Sequence, residues 1–341
     1  MRKEYMKLWL SFIFILFSFV GCSQSLTEQE NSVTVYVSED QVFSQPLLKD
    51  FEKETSVKVN AIYDSEESKS TGVMNRLIAE KNNPQADVYW ANEPIRAEVL
   101  RSKGILAPYK SPNSIDIPAV FKEKDNYWCG FSARVRLFVV NKSATKKPQS
   151  IFDYKNPLFK AKSVIANPLF GTTTAQIAAL FTVLGDEKAK LFLEDIKANK
   201  VAIATSNGES ADFVASNKYD FSLVDSDDAM SRLSQNAPIE FAYPDQKEGE
   251  IGAFVVPNTV MLIKGAPHSK NAKILIDYLL SKESEQKLAY ADCAQIPLHE
   301  GVEMPKGLKP ISDIKVMQVD YAKVAEKMIE IQPYLKAWLA D

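Results

Sequence analysis

Residues Val33–Ile62 read VTVYVSEDQVFSQPLLKDFEKETSVKVNAI. Val33-Thr-Val-Tyr-Val37 is built from β-branched and aromatic residues, the composition of a strand. It gives way at Ser38-Glu39-Asp40. From about Gln45 to Thr55 the apolar residues Leu47, Leu48 and Phe51 then fall on one helical face. Val57–Ile62 returns to strand character. Strands separated by a helix of this length make a βαβ crossover and run parallel.

The alternation continues downstream. A second helix is expected from about Gly72 to Asn82 on Val73, Leu77 and Ile78, and a third strand at Ala86–Trp90. Ala91-Asn92-Glu93-Pro94 follows, with a helix through Leu100. Further strands are expected at Leu137–Val140, Ser163–Ala166, Lys200–Ala204 and Phe221–Val224. The last three run into polar segments: Asn167–Thr174 before an apolar helix to Leu184, Thr205–Ser210, and Asp225–Asp228. Phe254–Val256 and Val260–Ile263 flank Pro257-Asn258-Thr259, which reads as a crossing point. Helices are expected over Ala272–Leu280, Glu283–Ala291 and about Val316–Leu339, the last interrupted at Pro333. The chain therefore reads as an α/β protein. Ligands of parallel sheets sit beyond the carboxyl ends of the strands, which points at Ser38–Asp40 and Ala91–Glu93.

The first residues carry a different message. Arg2, Lys3 and Lys7 precede an apolar run from Leu8 to Val20, too short to span the ~30 Å of a bilayer core and suited to an export signal. Gly21-Cys22-Ser23 resembles a bacterial lipobox. That resemblance implies cleavage before Cys22, lipidation of its thiol, and a protein tethered in the bacterial cell envelope. Residues 23–32 (SQSLTEQENS) are polar and aperiodic, the composition of a flexible tether.

Composition narrows the classes. With 45% hydrophobic and 25% charged residues the chain is ordinary globular material. A net charge of −3 with both signs interspersed gives no basic stripe for nucleic acid. About 320 residues after the signal suffice for two domains. Cys129 and Cys293 remain after Cys22; in an exported chain they either pair or stay as buried thiols.

The order of several segments resembles the bacterial extracellular solute-binding proteins of the ferric-ion type. Val33–Tyr36, Leu48–Thr55, Ala86–Trp90, Gly171–Thr174, Val224–Ala229, Pro257–Thr259 and Pro267–Ala272 carry the likeness. It implies a two-lobe, type II periplasmic-binding-protein (Venus-flytrap) fold with crossing hinge strands. Lobe 1 would hold residues 33–131 plus 258–303, and lobe 2 residues 132–257 plus 304–341. It implies a monomer that traps a small ligand and delivers it to the permease of an ABC importer, with no cofactor of its own. The leading ligand is ferric iron, completed by a synergistic anion. A phosphonate, sugar phosphate or other small organic solute is the alternative. Ferric members present an adjacent tyrosine pair in the second lobe; this chain has no Tyr-Tyr dipeptide and offers Asp225-Ser226-Asp227 there.

Two chemistries compete for the cleft. A cation would use Asp40, Glu93, Asp225 and Asp227, hard oxygen donors. An oxyanion would use Thr172, Thr173 and Thr174, and Ser206 to Ser210, at helix N-termini, with Arg134 or Arg136 as a guanidinium fork; Ser38 and Ser226 are further candidates for ligand contact. Each has a structural alternative: Ser, Thr, Asp and Glu before helices are ordinary N-caps worth ~1 kcal/mol. Tyr63, Tyr89 and Tyr243 are further contact candidates, against a core-packing reading for the aromatics. Catalysis has little to stand on. Two histidines in loops make no HExxH helix, neither a G-x-S-x-G elbow nor a P-loop occurs, and a carboxylate-dependent envelope enzyme is the distant alternative.

Overall fold

The computed structural model describes residues 31–64 and 70–340. The signal segment 1–22, the lipidation position Cys22 and the tether through residue 30 lie outside the described residues. Among the described residues no helix is long and apolar enough to cross a membrane.

Strand β1 (Ser32–Val37) pairs in parallel with β2 (Lys58–Tyr63) on one side and β3 (Val88–Ala91) on the other. The crossovers are helices α1 (Gln41–Thr55) and α2 (Thr71–Ala79), the βαβ arrangement expected from the sequence. Helix α1 begins four residues before the apolar periodicity does and carries Pro46 inside it. Its first turn is closed by Ser44, whose N–H and hydroxyl both donate to the Asp40 carbonyl, each at 2.9 Å. Helix α3 (Pro94–Ser102) follows β3 directly and starts on Pro94, where a missing N–H is harmless.

The rest of the sheet hangs on two long strands. β5 (Cys129–Asn141) and β10 (Val255–Ile263) are antiparallel neighbours and buried throughout. β10 also pairs antiparallel with β3 and with the short β4 (Leu106–Ala107). The far half of β5, from Arg136 onward, turns to β8 (Phe221–Asp225) and β9 (Ile239–Ala242). Beyond β8 lie β6 (Ser163–Ala166) and β7 (Ala202–Ala204), parallel to one another. The resulting order is β2-β1-β3-β10-β5-β8-β6-β7. Sequence patterning shows only the end of β5, because buried Ser132, Arg134 and Arg136 interrupt its apolar run. Pro257-Asn258 does not split β10 into two strands; it shifts the register within one.

Helices α4 (Gly171–Leu184) and α5 (Asp186–Ala198) follow β6, α6 (Asn207–Ala215) follows β7, and α7 (Ser226–Ser234) follows β8. Helices α8 (Ser269–Leu279) and α9 (Lys282–Tyr290) return to the first half of the sheet. The C-terminal stretch forms two helices, α10 (Tyr321–Glu330) and α11 (Gln332–Ala340), breaking at Ile331 just ahead of Pro333. Helix α10 packs on both α3 and α4, so it bridges the two halves. Tyr321 anchors it: the ring meets Trp128 edge-on at 6.1 Å, and the hydroxyl donates to the Val255 carbonyl at 2.9 Å. Cys129 and Cys293 are buried free thiols, and burial raises both.

Candidate functional site

Three helices of the second half begin at the carboxyl ends of strands, and their first turns face one cleft of about 1120 Å³. Gly171–Thr173 of α4, Asn207–Gly208 of α6 and Asp227–Asp228 of α7 line it on one side. Glu39, Asp40, Thr71, Asn92 and Arg96 line it on the other. Helix N-termini present unpaired N–H groups and a favourable dipole to anions. Met328, Ile329, Gln332 and Lys336 of the C-terminal helices border the same space.

Arg136 organises the floor. Two residues from Arg134 on β5, it shares that residue's face, and it is almost fully buried. Its Nη1 reaches Asp225 Oδ1 at 3.2 Å, Thr172 Oγ1 at 3.1 Å and Asn207 Oδ1 at 3.0 Å. Its Nη2 donates to Thr173 Oγ1 at 3.3 Å and to the Leu223 carbonyl at 3.0 Å. The other oxygen of Asp225 accepts from Thr172 at 2.7 Å. Asp225, Thr172 and Thr173 are thus held together with Arg136 in one network, and both Asp225 oxygens are occupied by it.

Arg134 faces the open side. It donates to the Asn92 carbonyl across the cleft and stands 3.7 Å from Asp227 and 3.9 Å from Asp225. Burial works against its charge, but Asp227 and Asp225 outweigh that and raise its pKa. Asp225, Asp227 and Asp228 can bring one oxygen each within 4.8 Å of one another. Burial lifts the Asp227 pKa to about 6 against the pull of Arg134, with Asp225 and Asp40 adding to the rise. Asp228 is raised further by burial and by Asp227, although Arg232 lies 3.7 Å away. Partly buried carboxylates raised in this way gain from a positive charge brought to them.

The remaining sequence candidates fall into two groups. Asp40 lies on the cleft wall with Asp227, Thr172 and Thr173. Ser206 reaches the wall but its hydroxyl caps α6, accepting from Glu209 N at 3.1 Å. Ser38, Glu93 and Ser226 sit behind it. Ser38 bonds Asp64 and Tyr89 at 3.0 and 2.9 Å. Ser226 accepts from Val135 N at 3.2 Å. Glu93 caps α3 through Ile95 N at 2.6 Å and pairs with Arg96 at 3.0 Å, so the capping alternative describes its contacts. Tyr89 is core, and Tyr243 accepts from Lys309 N away from the cleft. Among the described residues lining the cleft there is no tyrosine, histidine or tryptophan. Glu39 and Asn207 lie inside the segments Ser38–Asp40 and Thr205–Ser210 that the sequence points to, without being named there. Arg96 and Arg232 lie outside them, and Arg232 carries only the signal of standing four residues after Asp228 on one helix face.

The model of a family described as bacterial extracellular solute-binding protein matches residues 33–290. A putative 2-aminoethylphosphonate-binding periplasmic protein of Salmonella typhimurium is 26% identical over 319 residues, covering 91% of this chain and 88% of its own. Iron uptake protein A1 of Synechocystis is 26% identical over 302 residues, covering 84% and 81%. The periplasmic binding protein AfuA of Actinobacillus pleuropneumoniae, solved with fructose-6-phosphate, superposes with a TM-score of 0.76 at 25% identity, covering 91% and 98%. Iron-bound HitA of Pseudomonas aeruginosa superposes with a TM-score of 0.79 at 19% identity, covering 89% and 99%. These likenesses give the chain the two-lobe fold of periplasmic binding proteins, its cleft lying between the lobes.

Proposed function

Since the chain belongs to the bacterial extracellular solute-binding proteins, we propose that it captures a small charged solute in this cleft and passes it to an ABC importer permease. The solute we favour is a compact organic phosphonate or phosphate that also carries a positive group. One observation carries this reading: Arg134 stands 3.7 Å from Asp227 on a wall made of three helix N-termini. An anion there meets guanidinium and helix N–H groups. A neighbouring ammonium meets Asp227 and Asp228, whose burial calls for one. A relative is named for an aminophosphonate, which has both charges, and a structural neighbour holds a sugar phosphate, which supports the anionic half of this chemistry.

Ferric iron is the second reading, favoured by the three carboxylates of Asp225, Asp227 and Asp228 and by relatives named for iron. Carboxylate oxygens suit a hard cation. Against it, Arg136 and Thr172 occupy Asp225, Glu93 faces Arg96, and Arg134 would stand beside a trivalent charge. Calorimetric titration with 2-aminoethylphosphonate, fructose-6-phosphate and ferric citrate separates the two. Binding of the phosphorus compounds alone supports the favoured reading. Tight iron binding with a visible absorbance band replaces it.

The protein is proposed to act as a monomer without catalysis or a cofactor, so a bound solute should be recovered chemically intact. Tethering through lipid on Cys22 rests on the lipobox-like sequence. Cys22→Ser should move the protein out of the membrane fraction, and unchanged fractionation would refute the anchor.

A further inference from the structure

A continuous line of buried side chains runs from the cleft wall to the crossing strands. Glu39 borders the cleft, and its Oε1 accepts from Gln295 Nε2 at 2.9 Å. Gln295 Oε1 accepts from Asn258 Nδ2 at 2.7 Å, and the same nitrogen donates to the Ser132 carbonyl at 2.7 Å. The remaining amide oxygen, Asn258 Oδ1, accepts from Trp90 Nε1 at 3.2 Å. Gln295, Asn258 and Ser132 are fully buried.

The line ends where the strands are irregular. Ser132 has a φ of 42°, a left-handed conformation costly for a residue with a Cβ. Opposite it, the β5–β10 register shifts between Pro257 and Asn258. The Ser132 N–H is received by buried Glu285 at 2.7 Å. This residue is therefore held from both sides, at the irregularity within the β5–β10 pairing, which continues to Val135 before β5 turns to β8 at Arg136. A backbone kept in a sparsely populated region persists only while its surroundings impose it.

We propose that Gln295 is a positioning residue: through Asn258 it holds Ser132 in its left-handed conformation and ties the angle between the lobes to the state of Glu39 in the cleft. The inference rests on the reading above that a solute is trapped between the lobes. A positive group drawn towards the Glu39–Asp40 wall pulls on the Gln295 amide, and the crossing strands feel it directly. Gln295→Leu keeps the Glu39 charge and cuts the line. Glu39→Gln removes the charge but leaves an amide oxygen to accept from Gln295.

The test is the inter-lobe distance distribution of the ligand-free protein, from spin labels on Val42→Cys and Leu191→Cys, both exposed; the native Cys129 and Cys293 are buried. Gln295→Leu should broaden the distribution towards open forms while Glu39→Gln leaves it as in the parent. Should Gln295→Leu not fold, Glu39→Leu breaks the same bond from the cleft end and should broaden it likewise. A parent-like distribution when the bond is cut, or equal broadening in Glu39→Gln, overturns the proposal. The measurement needs no ligand, so failure of the solute reading shows separately, as absence of calorimetric binding to the parent protein.

Discussion

Arg136 and Asp225 meet at 3.2 Å with neither side chain more than 5% exposed, and Arg134 stands farther from the same carboxylate, at 3.9 Å. Removing one charge of a buried pair strands the other and costs about 3–5 kcal/mol. Arg136→Met should lower stability by about that amount in urea denaturation. It should also abolish solute binding, because Thr172, Thr173 and Asn207 lose their shared donor. A loss under 1 kcal/mol would show that the rest of the network holds Asp225 without Arg136.

Asp227 sets a trade between stability and binding. Its folded pKa of about 6 lies above the ordinary 3.8, raised first by burial. The stability contributed by its proton is therefore full below 3.8 and is lost as pH rises through about 6. Asp227→Asn should raise stability at pH 7.5 by about 1–2 kcal/mol, flatten that pH dependence, and weaken an amine-bearing solute at least ~10-fold, about 1.4 kcal/mol. Thermal melts at pH 4.5 and 7.5 with calorimetry check all three.

Glu285 is a fully buried carboxylate that receives N–H groups from Ser132, Leu298 and His299, together with the His299 ring at 2.8 Å. Burial opposes the His299 charge, but Glu285 and the Asn113 carbonyl outweigh it and raise the pKa. A raised folded pKa means that this stability is full below 6.5 and is lost as pH climbs through the higher folded value. Glu285→Gln should cost about 2–4 kcal/mol at pH 6 and erase the alkaline decline. An unchanged decline would place it elsewhere.

Pro46 lies on the exposed side inside α1, where it removes a helical N–H. Pro46→Ala should stabilise the protein by about 1 kcal/mol, less the unfolded-state stiffness that proline confers. A lower melting temperature would mean that the ring's contacts outweigh the missing bond.

The β-α alternation was legible because β1 and β3 bury β-branched and aromatic residues, β2 half-buries Val59 and Ile62, and the helices between them have regular apolar faces. The start of β5 was not, since it hides Arg134 and Arg136 in the interior and their partners arrive from β8, α4 and α6. Strand carboxyl ends pointed to Asp40 and Asp227 and helix N-termini to Thr172 and Thr173, and all four line the cleft. Ser38, Glu93 and Ser226 also follow strand carboxyl ends yet turn inward. Whether such a residue caps a helix or faces the cleft depends on one torsion and on neighbours such as Arg96 and Val135, distant in sequence from their partners or hidden by burial. Glu39 and Gln295 join across almost the whole chain, a contact that no local pattern encodes.

The Tyr321 hydroxyl on the Val255 carbonyl has a consequence for synthesis. The first half of β5 waits for β10 to pair with it, and the bridging helix follows later still. Contacts this far apart in sequence form slowly. A growing chain therefore remains unclosed on the ribosome, with its central strands accessible to whatever holds or threads nascent polypeptides, until β10 and then the bridging helix have emerged.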